Sequence, residues 1–347
     1  MLKALDDSQC QWVKGGQSAD VVLISQICFA RNIAGYPFLM GADDRVISRI
    51  EELVRTKIME SKVGPDMEYH RLEHMDDISR NLLVERQLLG SDYVDADWPR
   101  GVACSNEESI SLRVNEEDHL RIQVMLGGSE LEKAWKKARN IDNCLADYIP
   151  FAFSSSFGYL TASPANVGTG MHASAIVHLP AMGLAKEMDK IIDLCAEQEI
   201  DLQGLYGDGS YASADVYRLS NQVTLGKTED EIVDDVGGIL DQIVGFERKA
   251  REVFHRRDSD RLRGRIERAH RLLGTAADIS CEESLALLSQ VRLGVQLGEE
   301  NKMAREAINR LLLLTLPAHL QTMDGRSMGR DEMKKVRAAF LKKELSQ

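Results

Sequence analysis

The chain has 347 residues, 44% of them hydrophobic, which is enough apolar material for one large domain or two ordinary ones. A formal net charge of −12 and an isoelectric point near 5.3 exclude a general nucleic-acid binder, because phosphate contacts need a basic surface, and leave room only for a local basic patch. Six cysteines, at 10, 28, 104, 144, 195 and 281, form no C-x-x-C pair, so neither a zinc ribbon nor a disulfide framework is expected. The first residues meet acid at Asp6 before an apolar segment can form, and no stretch of 18 apolar residues occurs. A cytoplasmic protein with reduced thiols and no membrane partner is expected.

Residues 21–29 are mostly apolar with β-branched members and predict a buried strand that enters a turn at 32–37. Val46, Ile50, Leu53, Val54 and Ile58 follow at helical spacing, and a second helical segment is expected near 78–89. The period then changes to two. Residues 102–104, 109–114 and 120–126 predict three neighbouring antiparallel strands, closed by Gly127 and Gly128. Ser129 and Glu132 have capping-box spacing ahead of a helix carrying Leu131, Trp135, Ala138, Ile141 and Leu145, which would cover one sheet face.

From Ser163 to Gly170 the residues are small, and Gly168 and Gly170 permit positive φ and close approach to a ligand; an ordinary loop is the alternative. Strands around 202–206 and 217–225 bracket Gly207-Asp208-Gly209-Ser210, a polar loop suited to act as a lid. Thr228 with Glu231 caps a long helix through about Phe254. A charged run at 255–260 marks a boundary, beyond which everything reads as helix: Leu272 and Leu273, a cap at Ser280 with Glu283, then Leu285, Leu288 and Val291, and the apolar run 311–314. Such a stripe is either the core of its own unit or a dimer interface. The expected organisation is an extension at 1–19, an α+β unit at 20–254 with an antiparallel sheet flanked by helices, and an α-helical unit at 261–347.

The densest chemistry lies at Asn115-Glu116-Glu117-Asp118-His119-Leu120-Arg121, behind the alternation of Ile110, Leu112 and Val114. Three neighbouring carboxylates repel one another, so a fold that gathers them supplies a cation or uses one as a base. A solvated acidic turn is the plain alternative.

That heptad, Asn-Glu-Glu-Asp-His-Leu-Arg, resembles the signature of the ATP:guanidino phosphotransferases, the phosphagen kinase family of creatine and arginine kinases. Ala30-Arg31-Asn32, Gly158 to Thr161, Asn166 to Gly170, Gly204 to Gly207 and Ser220 to Gly226 stand in the family's order and roughly its spacing. Leu316-Pro317-Ala318-His319-Leu320-Gln321 is similar to one branch, the bacterial protein-arginine kinases, in which a helical domain follows the catalytic one. The resemblance runs from about Asp20 to about Lys343. It implies the guanidino-kinase fold and phosphoryl transfer from Mg-ATP to arginine, with protein substrates or phosphoarginine-bearing proteins as partners. It also implies a homodimer, with a Clp-type protease system or an active paralogue as further partners.

The same resemblance implies roles. Glu117 matches the catalytic carboxylate, and Asp208 matches the second one, a glutamate in the family. Arg121 matches a phosphate-binding arginine, and His119 its neighbour in the nucleotide site. Ser163, Asn166, Gly168 and Gly170 match the substrate loop, with Ser163 in place of a cysteine. The remaining cations differ. Gln26 and Cys28 stand where the family's first strand carries arginines, His172 and Gln203 replace two more, and Gln87 stands where a nucleotide-site histidine is placed. Of five phosphate-facing arginines, Arg121 remains.

Each charge-assisted hydrogen bond to phosphate contributes roughly 1.5–3 kcal/mol, so losing four removes on the order of 6 kcal/mol or more. One arginine on a phosphoryl-transfer transition state is worth about 10³–10⁵ in rate. Arg80, Arg86 and Arg113 are near in sequence and could compensate, and a protonated His172 would restore one charge. In the helical unit, Arg330, Asp331 and Lys334 match a phosphoarginine-binding motif; a solvated basic helix end is the alternative. No metal ligand set is apparent. The expectation is a catalytically impaired pseudokinase, with Mg-ATP as cofactor only if the enzyme is active; the alternatives are a working protein-arginine kinase and a structural partner of an active paralogue.

Overall fold

The structure, a computed structural model, describes residues 10–205, 213–298 and 303–346. In chain order the elements are β1 (Val22–Arg31), α1 (Asp44–Glu60), β2 (Met67–Arg71), α2 (Asp77–Glu85), β3 (Gly101–Ser105), β4 (Ile110–Val114), β5 (Leu120–Gly127), α3 (Leu131–Ala146), the short pair β6 (Phe153–Ser154) and β7 (Gly158–Tyr159), β8 (Met171–His178), α4 (Pro180–Ala185), α5 (Met188–Glu197), β9 (Ile200–Gly204) and β10 (Val216–Asn221). Helices follow: α6 (Glu229–Arg257), α7 (Ser259–Thr275), α8 (Cys281–Leu297), α9 (Arg305–Leu314), α10 (Pro317–Asp324) and α11 (Arg330–Glu344).

Eight strands form one sheet in the order β2-β3-β4-β5-β1-β8-β10-β9, with every pairing antiparallel. The expected α+β class and the three adjacent strands 101–105, 110–114 and 120–127 are present. So is the central first strand, buried along its whole length. Side chains alternate between faces along a strand. On one face, Ile27, Phe29, Leu112, Ile122, Val124, Ala173, Ala175 and Leu219 pack under α1, α3 and α6 into the main core.

The other face is divided. At one end Ile24, Met125, Ile176 and Val216 join Leu285, Leu288, Val291 and Leu311 to Leu314 of the C-terminal helices in a second core. At the other end the same strands turn up Gln26, Cys28, Arg121, Gln123, His172, Ser174, Arg218 and Ser220, which line an open cleft. The apolar stripe of the helical region is thus buried within the chain, against the sheet. α6 ends at Arg257 and α7 begins at Ser259, so the break falls inside the charged run at 255–260.

Thr228 with Glu231, and Ser280 with Glu283, form complete capping boxes. Ser129 does not cap α3. Glu130 is the N-cap residue there; the Ser129 N–H donates to Gln17 O, in the segment before β1, at 2.7 Å, and the Glu130 N–H donates to the β1 side chain Ser25 Oγ at 2.9 Å. Two further strands, β2 and β8, extend the sheet beyond the sequence expectation. No helix among the described residues is long and apolar enough to cross a membrane.

A buried polar network ties the helical region to the sheet. Arg292, fully buried, donates to Asn309 Oδ1 at 2.9 Å, Ala19 O at 2.8 Å and Asp20 O at 3.1 Å, and its Nη1 lies 2.7 Å from His178 Nδ1. Burial pulls the Arg292 guanidinium down to about 9 and holds His178 well below the usual histidine range.

Candidate active site

The turn between β4 and β5 carries the acidic cluster, and the fold gives each carboxylate a different task. Asn115 takes φ +59 at the turn, a conformation asparagine tolerates, and donates to Ile47 O and Pro99 O. Asp118 is fully buried and accepts from Asn32 Nδ2 and from the Ala162 N–H, each at 2.7 Å. Glu116 accepts from the Gly90 N–H at 3.0 Å and from Arg113. Glu117 alone faces open space, about a third exposed, with Oε2 2.6 Å from Arg121 Nη2 and 3.5 Å from Asn166 Nδ2. The repulsion expected of three adjacent carboxylates is relieved by sending them in different directions.

The small-residue loop at 163–170 closes on this group. Gly168 sits at φ +114, where a Cβ would lie 2.3 Å from Thr224 O, and Gly170 sits at φ +61, where a Cβ would lie 2.7 Å from Ala30 O. Both positions require glycine on positive φ and on contact. Asn166 is held by His172, whose Nε2 lies 2.7 Å from Asn166 Oδ1. Ser163 precedes the single turn 164–166, and its carbonyl accepts from Thr161 Oγ1 at 2.8 Å. Arg31 is a structural residue here: it pairs bidentately with Asp142, lies over the Tyr159 ring, and donates to Thr169 O on the loop.

Gln26, Cys28, Gln87, Arg121, His172 and Gln203 line one cleft of about 710 Å³. An amide chain crosses its floor: Gln26 Nε2 donates to Gln123 Oε1, Gln123 Nε2 donates to Gln87 O, each at 2.6 Å, and Arg218 donates to Gln87 Oε1. Burial, then the Arg121 charge, push His172 below the usual histidine range, so it does not supply the extra cation at neutral pH.

His119 is not on the cleft wall. Its Nδ1 accepts from the Ile33 N–H at 3.0 Å and its Nε2 donates to Pro37 O at 2.9 Å, which fixes the turn after β1, and burial lowers its pKa. Asp208 lies outside the described residues, as does the loop 207–210. Arg330, Asp331 and Lys334 lie at the start of α11 and are not among the residues lining the cleft, with Lys334 Nζ 3.2 Å from Asp331 Oδ1.

Of the nearby arginines, Arg80 pairs with Asp77 and Arg86 is buried against Glu108. Arg113 does enter the cleft, its Nη2 3.4 Å from Cys28 Sγ. Arg218 enters it from β10. Sequence reasoning missed Arg218; its signal was the two-residue period that places it with Ser220 on the polar face. Among the described residues no group of three or more His, Cys, Asp or Glu is placed to hold a metal ion.

Residues 49–250 match the family model of the ATP:guanido phosphotransferase C-terminal catalytic domain, and residues 259–347 match that of the protein-arginine kinase McsB C-terminal domain. A protein-arginine kinase of Halothermothrix orenii is 37% identical over 337 residues, covering 96% of each chain. One of Symbiobacterium thermophilum is 37% identical over 343 residues, covering 98% of this chain and 97% of that one. Among solved structures, the duplicated taurocyamine kinase of Schistosoma mansoni with transition-state analogue components superposes with a TM-score of 0.60 at 25% identity, over 66% of this chain. This chain spans 33% of that duplicated protein. A lombricine kinase gives a TM-score of 0.58 at 23% identity, over 71% of this chain and 72% of that one, a likeness of fold. The chain belongs to the ATP:guanido phosphotransferase family, as a homologue of the protein-arginine kinases.

Proposed function

We propose that this chain is a catalytically impaired member of its family, a pseudokinase whose cleft binds arginine- or phosphoarginine-bearing proteins instead of transferring phosphate to them. The observation that carries this reading is the chemistry of the cleft floor. Gln26, Cys28 and Gln203 offer no charge, His172 is held neutral, and Arg113 and Arg121 already pair with Glu116 and Glu117. Mg-ATP does not fit this donor set. The cleft has the volume for a nucleotide, but its lining sets Arg113, Arg121 and Arg218 against an equal number of carboxylates, Glu85, Asp92 and Glu116, so a triphosphate meets no net positive field. The partners in this reading are proteins presenting arginine, with a Clp-type protease system or an active paralogue as the setting in which they are presented.

Calorimetric titration with Mg-ATP is expected to give millimolar affinity or no heat; submicromolar affinity would refute the reading. A second reading, a working Mg-ATP-dependent protein-arginine kinase, draws support from Glu117, which stays open and in reach of Arg121 and Asn166. It requires that Glu117→Gln abolish transfer.

A further inference from the structure

Gln87 carries a strained backbone. Its φ of +61 lies in the left-handed region, which a glutamine enters only where its neighbours hold it there. Downstream, Leu88 and Leu89 are buried in the second core. Upstream, Glu85 and Arg86 are held by a distant part of the chain, the first turn of α10.

α10 begins without a cap of its own. Leu316 is its N-cap residue and makes no side-chain cap, and Pro317 at the first helical position has no N–H. The next two donors both go to Glu85 at the end of α2, the Ala318 N–H to Oε1 at 2.7 Å and the His319 N–H to Oε2 at 3.0 Å. A carboxylate is favoured there by the helix dipole as well as by the bonds. The His319 ring adds a third contact, Nδ1 to Glu85 Oε2 at 2.8 Å, and its Nε2 accepts from Arg86 Nε at 3.4 Å. That pairing needs a neutral ring with its proton on Nδ1, and burial holds His319 below the usual histidine range. Arg86 is fixed again by Glu108, Nη1 to Oε1 at 2.6 Å.

The cleft floor starts one residue beyond this clamp. Gln87 O accepts from Gln123, which in turn accepts from Gln26, and Gln87 Oε1 accepts from Arg218. Glu85, Gln87 and Leu316 all line the cleft, so the helical region supplies part of its wall.

We propose that Glu85 and His319 are positioning residues, through which the first turn of α10 sets the backbone of Gln87 and, with it, the amide floor of the cleft. The C-terminal helices are then a working part of the cleft, and moving α10 reshapes the floor without unfolding the sheet. The role holds whether the cleft binds its ligand or transfers phosphate to it.

The test uses the full chain without any ligand and two readouts. One is hydrogen exchange across residues 86–90, where the Gln87 and Leu88 N–H groups bond back to Val84 and Leu83. The other is the side-chain amide resonance of Gln123 in chain labelled at glutamine. Glu85→Gln and His319→Leu are expected to speed exchange at 86–90 by at least about 10-fold and to move the Gln123 resonance toward that of a free amide, with exchange across α6 unchanged. His319→Gln, which keeps a donor and an acceptor in one side chain, should return both readouts most of the way to native. Leu341→Ala, which removes a fully buried α11 side chain from the second core, should lower the melting temperature at least as much and leave both readouts native. Native readouts in either Glu85→Gln or His319→Leu would overturn the inference, as would a His319→Gln chain that behaves like His319→Leu. Leu341→Ala loosening 86–90 to the same degree would also overturn it, because core stability alone would then hold Gln87. If Glu85→Gln does not fold, His319→Leu decides, since leucine suits a site that is 1% exposed. Neither readout needs nucleotide, arginine or turnover, so failure here is separate from failure of the pseudokinase reading.

Discussion

Returning arginine to the cleft as Gln26→Arg with Gln203→Arg is expected to raise Mg-ATP affinity by about 10²–10⁴-fold. Each new charge-assisted bond to phosphate is worth roughly 1.5–3 kcal/mol, and about 1.4 kcal/mol is a factor of ten. The two positions can take the change. Gln26 Nε2 already donates to Gln123 Oε1 at 2.6 Å, a role that an arginine N–H can keep, and Gln203 is exposed on the edge strand β9. Arg113 remains in place, so the variant gains cations without losing one. The gain should shrink as salt is raised, because the cleft is open to solvent. Affinity unchanged in the double variant would mean that missing arginines are not what keeps nucleotide out.

Asp142→Ala is expected to destabilise the fold by about 3–5 kcal/mol, the usual cost of stranding a buried charge. Arg31 is fully buried and pairs with Asp142 through Nε to Oδ1 and Nη2 to Oδ2, both at 2.9 Å. Its guanidinium carbon lies 3.5 Å from the centre of the Tyr159 ring, and Nη1 donates to Ala30 O and Thr169 O. Without the carboxylate, the guanidinium keeps its charge but loses its bidentate partner, and the loop at 166–170 loses a fixed anchor. Urea unfolding should show the midpoint falling with an unchanged slope. A loss below about 1 kcal/mol would contradict the structural role assigned to this pair.

Much of the framework was legible because its signals are local. The capping boxes at Thr228 and Ser280 form as their spacing predicts, and the two-residue period of 110–114 and 120–126 places those strands side by side. β8 was harder to read. Its middle residues, Ala173, Ser174 and Ala175, are all small, so the segment merges with the small-residue loop before it. Ser129 shows the limit of a cap signal: the spacing was right, but Gln17 O and Ser25 Oγ took the backbone donors and the helix starts one residue later.

The site divided along the same line. Motif residues on strands, such as Gln26, Cys28, His172 and Gln203, come together because the sheet register aligns them. His119 stands two residues before Arg121 in the motif, yet its ring is taken into the turn after β1. Arg113 and Arg218 sit outside every motif, so nothing but strand alternation marked them. That the C-terminal helices share a core with the sheet had one faint sign, the apolar Ile24, Met125, Ile176 and Val216 on an otherwise polar face.

The most direct measurement incubates the purified chain with Mg-ATP and an arginine-rich protein and searches for acid-labile phosphoarginine by mass spectrometry under neutral conditions, with Glu117→Gln as control. No phosphoarginine above the control is the predicted result. Phosphoarginine that forms with the native chain and vanishes in Glu117→Gln would contradict the central claim and show a working kinase.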